Sequence, residues 1–157
     1  MHRLTRIAAY GLAAVANQVL LIRKGRGPFF KTWDLPGAGI EFGEDPVDVL
    51  SQGIYHETGL PLLMARLLTA HPHNMRWRTP DGDMVDLFQL GLIYRIRVPS
   101  NQSPKPDPNS DDALEARWFD LPLPVNLEIS PFVTDALLQL TVPPTPSTPS
   151  PSQGSES

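Results

Sequence analysis

The sequence predicts an α+β domain followed by a short polar tail. Three observations predict it. Residues 46–58 carry both end signals of a helix, residues 62–78 and 84–98 alternate like two long strands, and the composition changes abruptly after Leu140.

Residues 4–15 and 18–24 read as two strands around a turn near Asn17. The start imitates a secretory signal, because Arg3 and Arg6 precede a short apolar stretch and Ala14-Val15-Ala16 resembles a cleavage site. Tyr10 and Gly11 interrupt that stretch, however, and the chain runs on into Val19-Leu20-Leu21-Ile22, a buried-strand pattern. A first strand and a cytoplasmic location are therefore expected. Gly25 to Phe30 is a loop, and Trp33 to Gly39 a short extended segment.

For the helix over 46–58, Asp45 suits the N-cap, Pro46 the first turn and Gly59 the position after the end. Val47, Leu50 and Ile54 are its expected buried stripe. The turn Pro80-Asp81-Gly82-Asp83 joins residues 62–78 and 84–98 into a hairpin. In its second arm Leu90, Leu92, Tyr94, Ile96 and Val98 alternate with Arg95 and Arg97, as in a half-exposed strand. Residues 99–112 form a polar, proline-rich loop, Leu114–Phe119 a further strand, and 129–140 an amphipathic helix. The domain is thus expected over 1–140. Residues 141–157 are too rich in Pro, Ser and Thr to bury a core and are expected to be a disordered tail, with a docking peptide as the sharper reading.

Composition narrows the function. A chain of 157 residues is one domain by length. With no cysteine there is no disulfide framework and no thiol nucleophile. Thirteen basic against 17 acidic residues give a net charge of -4, which argues against broad attachment to extended nucleic acid or anionic lipid. No apolar run approaches the roughly 20 residues of a membrane span.

The informative stretch is Leu35 to Leu60, LPGAGIEFGEDPVDVLSQGIYHETGL. A glycine-rich turn lets backbone approach a ligand closely, and acidic residues on an adjoining helix suit a hard divalent cation that grips a diphosphate. This stretch resembles the box of the Nudix hydrolase family, G-x5-E-x7-R-E-U-x-E-E-x-G-U with U a bulky aliphatic. Glu44, Ile54, Glu57, Gly59 and Leu60 match, and Leu35-Pro36-Gly37, Glu41-Phe42-Gly43-Glu44 and Glu115 to Leu121 look like the usual flanking segments. The resemblance implies an α-β-α sandwich in which a mixed sheet is flanked by the box helix and a C-terminal helix. It also implies a nucleoside diphosphate-type small molecule as ligand, and Mg²⁺ or Mn²⁺ as cofactor where the protein is active. Dimers are common in the family, so a homodimer is the oligomer it suggests.

The departures matter as much as the matches. Ala38, Gln52, Gly53 and His56 stand where the box has Gly, Arg, Glu and Glu. Of the three helical carboxylates only Glu57 remains. At about 100° per residue, positions 53, 56 and 57 are expected on one face, opposite Val47 and Leu50. That face then offers glycine, an imidazole and one carboxylate, and imidazole suits Mn²⁺ or Zn²⁺ better than Mg²⁺. Gly53 also costs about 1 kcal/mol against Ala inside a helix, for which the sequence gives no reason.

By this resemblance the candidate metal ligands are Glu57, Glu41, His56 and the carbonyl of Ala38. Glu57 and Glu115 are the candidate catalytic residues, Glu115, Asp111 and Asp112 lying where some family members place a late general base. Arg23 and Arg76 are candidate phosphate contacts and Trp33 a candidate stacking platform for a base, each set against a plain structural role. His71 and His73, at i and i+2, share a strand face. Three functions compete. The degenerate box favours a nucleotide-ligand protein whose hydrolase activity is weak or lost. A rebuilt metal site would give an active diphosphohydrolase, and the proline-rich tail would give an interaction module.

Overall fold

The structure, a computed structural model, describes residues 2–141. The chain begins with β1 (His2–Leu12), crosses at Ala13, and continues as β2 (Ala14–Val15). The expected single strand over 4–15 is therefore two, because β1 belongs to one sheet and β2 to another. Ala16 and Asn17, with φ of 49° and 68°, are the whole connection to β3 (Gln18–Lys24). Two left-handed central residues make a type I′ turn, whose twist matches that of the strands it joins. The turn expected near Asn17 is thus present.

β4 (Trp33–Asp34) and β5 (Gly37–Gly39) follow, then α1 (Pro46–Thr58), the hairpin β6 (Met64–Arg78) and β7 (Met84–Arg97), β8 (Ala113–Asp120) and α2 (Pro131–Thr141). One sheet has the order β5-β1-β7-β6, with β1 parallel to β7 and the other pairs antiparallel. In the second sheet β3 pairs with β2, β4 and β8. α1 packs on β5, β1 and β8, while α2 packs on β6, β4 and β7. The result is the mixed, helix-flanked α+β arrangement that the sequence predicted.

Each helix closes its own core. On the α1 side Leu50 and Ile54 meet Ala9, Leu20, Tyr94, Ile96 and Val98. On the α2 side Phe132, Val133 and Ala136 meet Tyr10, Leu12, Leu21, Trp33 and Ile93. The half-exposed alternation expected for residues 84–98 holds at the far end, where Tyr94, Ile96 and Val98 are buried and Arg97 is exposed, but not before it, where Val85, Leu87 and Gln89 are buried and Phe88 is exposed. Leu92, Tyr94, Ile96 and Val98 lie on the α1 side, and Ile93 on the α2 side.

The ends of α1 form as expected. The Asp45 carboxylate accepts the N–H groups of Val47 and Asp48, each at 3.1 Å, and Gly59 adopts φ 72°. The stripe differs at one position: Val47 is exposed and Val49 is buried with Leu50 and Ile54. Val47 lies in the first turn, before the helix reaches the sheet. The segment Pro104-Lys105-Pro106-Asp107-Pro108 straps the other end. Lys105 N–H donates to the Thr58 carbonyl at 2.7 Å and Asp107 N–H to that of His56 at 2.9 Å. These bonds satisfy carbonyls that a helix end leaves open.

α2 starts two residues later than expected, at Pro131, because Ile129 bridges to Trp33 and Ser130 caps the helix by accepting Val133 N–H at 3.3 Å. It ends at Thr141, one residue into the expected tail, and the rest of that tail lies outside the described residues. Phe132 is fully buried and stacks on Tyr10 at 4.8 Å, with Phe29, His71 and His73 around it. Phe132→Ala is therefore expected to cost about 3–5 kcal/mol in a urea unfolding titration, with loss of helical signal before the sheet melts.

Candidate functional site

The box residues meet where α1 lies against β5. Gly37, paired with Tyr10 of β1, turns its N–H toward the helix and donates to Glu57 Oε1 at 2.7 Å. Its carbonyl lies over Gly53. A Cβ built at Gly53 would fall 2.6 Å from the Gly37 oxygen and 2.9 Å from the Ala38 methyl. This explains the helical glycine that the sequence left unexplained. Glycine lets the β5 backbone rest directly on the helix, and that backbone fills the space a glutamate side chain would need.

The same contact corrects the expected face. Gly53 and Glu57 are buried together with Leu50 and Ile54, whereas His56 is exposed and its Nδ1 lies 3.7 Å from Asp107 Oδ2 of the strap. The imidazole thus turns to the loop, and Glu57 turns to β5. Glu41 is exposed, and its N–H donates to Glu44 Oε1 at 2.7 Å, so Glu44 serves to close the turn before the helix. Gln52 is exposed. Ala38 stands in β5 opposite Ala9. The four expected metal ligands are therefore not gathered. Among the described residues, no group of three or more His, Asp or Glu side chains forms a cluster that would hold a metal ion. The donor set does not fit a hard divalent cation, which needs several oxygen ligands around one point.

What Glu57 does face is a lysine. Lys24 Nζ, at the end of β3, lies 3.9 Å from Glu57 Oε2, with 26% of the lysine side chain exposed against 4% of the glutamate. Asp34 lies close by, 1% exposed. Its Oδ1 accepts Leu35 N–H at 2.8 Å and Ser130 Oγ–H at 2.6 Å, while Oδ2 is buried without a partner. Tyr10 completes the group, its hydroxyl accepting from the Gln89 amide. Burial pushes the Glu57 carboxyl up to about 8, outweighing the pull of Lys24 and of Gly37 N–H. At 3.9 Å the ammonium is too distant for a short charge-assisted bond. Burial likewise raises Asp34, and burial together with the nearby Asp34 and Glu57 raises Tyr10.

The other candidate residues lie elsewhere. The strand register sets Arg23 beside both Trp33 and Glu115, and the ladder with β8 shifts between Arg23 and Lys24. Glu115 is bound by Arg117 at 3.0 Å and lines a groove of about 580 Å³ at the open edge of β8, with Lys105 and Asp107. The second sheet therefore stands between Glu115 and Glu57. Trp33 is a core residue, 7% exposed, with Phe119 against its edge and the Arg117 guanidinium 5.2 Å over its ring. No free ring face is left for a base. Arg23 donates to the Lys31 carbonyl at 3.3 Å. Arg76 pairs with Asp86 at 3.4 Å, opposite Arg3 in the ladder. From Arg3 to Tyr10 is seven strand residues, about 23 Å at 3.3 Å each, so Arg76 is remote from Glu57. Asp111 and Asp112 both lie within ion-pair distance of Arg26. His71 and His73 do share a face, packed on Phe132 rather than around a metal.

Sequence reasoning missed Lys24, Asp34 and Tyr10. Asp34 carried a signal, as a lone carboxylate between Trp33 and Leu35 in an otherwise apolar run. Lys24 carried none, because a strand-end lysine is ordinarily solvated.

Two outcomes are expected from this geometry. Gly53→Ala improves helix propensity by about 1 kcal/mol, yet it drives a methyl into the Gly37 carbonyl, an overpacking cost of about 1–3 kcal/mol. Its melting temperature should therefore fall, and a rise would show that β5 yields freely. For Glu57 the sign follows from proton binding. Between its ordinary 4.5 and about 8, the folded chain holds a proton that the unfolded chain releases. Stability therefore declines as pH rises through that window. Glu57→Gln should flatten the decline in melts taken from pH 5 to 8.

Comparison with known proteins agrees with the fold. The chain is 29% identical over 115 residues to an ADP-ribose pyrophosphatase of Methanocaldococcus jannaschii, covering 73% of this chain and 62% of that protein. It thus spans less than two thirds of that relative's length. It is 24% identical to an RNA pyrophosphohydrolase of Bartonella clarridgeiae, over 71% of this chain and 69% of the other. Among solved structures, the MutT NUDIX hydrolase from Burkholderia pseudomallei superposes with a TM-score of 0.63 at 23% identity, over 87% of this chain and 98% of that one. The NUDIX domain of Shewanella oneidensis NrtR, solved in complex with ADP ribose, superposes with a TM-score of 0.59 at 16% identity, over 90% and 88%. The NUDIX domain family model matches residues 4–133, and with that span, this box and this fold the chain belongs to the Nudix family.

Proposed function

We propose that this chain binds a nucleoside diphosphate-linked small molecule and hydrolyses it weakly or not at all. The observation that carries this reading is the seating of Gly37 and Ala38 on Gly53, which fills the place of one family carboxylate with backbone. His56 turned to Asp107 removes a second from the Glu57 side. That one relative is named ADP-ribose pyrophosphatase and another RNA pyrophosphohydrolase supports that ligand class. We infer a cytoplasmic location for a chain whose residues His2–Leu12 are built into the sheet as β1. No helix among the described residues is long and apolar enough to cross a membrane. We also propose the division into a domain over 1–140 and a Pro/Ser-rich tail over 141–157, with α2 running one residue into the latter.

Release of phosphate or nucleotide from ADP-ribose, NADH, nucleoside triphosphates, dinucleoside polyphosphates and capped nucleotides tests the reading. Each is run with Mg²⁺ and with Mn²⁺, beside Glu57→Gln. The expected result is no turnover above the variant in either metal, together with saturable binding of at least one member of the panel. Metal-dependent turnover that vanishes in Glu57→Gln would instead establish a working metal site that uses Glu57.

A further inference from the structure

We propose that the Lys24 ammonium is a resident cation, placed to hold the ligand's diphosphate where other members of the family use a divalent ion, so that binding requires no metal. The inference rests on the ligand class proposed above and adds the group that recognises it.

Three observations lead to it. The first is position: Lys24 ends β3 and reaches the one helical box carboxylate that survives, with Nζ 3.9 Å from Glu57 Oε2. The second is what the carboxylate is already doing. Glu57 Oε1 takes the Gly37 N–H, and the Gly37 carbonyl lies against Gly53, so the residue that packs into the space beside Glu57 also occupies one of the two oxygens left to bind a cation. The third is what the ammonium is not doing. Among the described residues Lys24 Nζ makes no hydrogen bond, and it stays partly exposed beside two buried carboxylates, Glu57 and Asp34. A lysine carries three N–H donors, and a phosphate oxygen is the acceptor they suit.

The substitution also has a chemical consequence. An ammonium attracts phosphate as a point charge, but it does not acidify a bound water as a divalent ion does. A site that recruits the diphosphate through Lys24 retains recognition and loses the means of making a metal hydroxide.

Calorimetric titration of the full chain with ADP-ribose, in excess EDTA and again in Mg²⁺, tests this. Adenosine serves as the control that lacks the diphosphate. The wild type is expected to bind ADP-ribose equally in both buffers and adenosine much more weakly. Lys24→Gln should weaken ADP-ribose by about tenfold or more, while Lys24→Arg stays within about threefold. Binding that needs Mg²⁺ would overturn the inference and leave the proposed function standing, as would a folded Lys24→Gln that binds like wild type. Binding in neither buffer would overturn both. If Lys24→Gln does not fold, the EDTA and Mg²⁺ arms on the wild type still decide, and manganese resonance gives a readout without ligand: an undiminished free Mn²⁺ signal is expected, and uptake by the wild type would count against the resident lysine.

Discussion

The contact on which the site depends is a single residue, Gly37, held on both sides of its Cα by α1. Its N–H donates to Glu57 and its carbonyl rests on Gly53. Removing the helical side chain at position 53 allowed strand and helix to meet at backbone distance. Once they meet, Glu57 is shut from water and its charge is disfavoured. The arrangement links local sequence to electrostatics directly: one missing side chain sets the packing, and the packing sets the protonation of the next residue on that face.

The second sheet divides the molecule's chemistry. On one face of β3, Lys24 looks toward α1 and Glu57. On the other, Arg23, Glu115 and Arg117 gather beside Trp33, where Arg117 pairs with Glu115 and covers the indole. Asp34 sits at the joint. It takes Ser130 Oγ–H at the start of α2 while feeling the charges of Lys24 and Glu57. The C-terminal helix is therefore anchored to a residue of the polar cluster as well as to the apolar core.

Much of this was legible in the sequence. Caps, turn chemistry and alternation gave the helix ends, the Ala16-Asn17 turn region and the long hairpin, because those signals are local. Two kinds of information were not local. Which residues of β7 are covered depends on α1 on one side and α2 on the other, both distant in the chain. The orientation of His56 depends on a strap some fifty residues away that supplies Asp107. Helical periodicity placed His56 and Glu57 together, but tertiary partners drew the two side chains to different neighbours. Trp33 shows the same limit, since aromatic character does not say whether a ring ends in a cleft or under an arginine.

The strap itself has a consequence for how the molecule meets others. Pro104, Pro106 and Pro108 have no amide hydrogen, and the two residues between them, Lys105 and Asp107, both direct theirs into the end of α1. The stretch therefore has no donor left facing outward. It lines a groove with β8, and its backbone offers that groove carbonyls but no free amide hydrogen. The proline excess that marks this segment in the sequence thereby leaves the strap itself unable to serve as a strand-pairing edge.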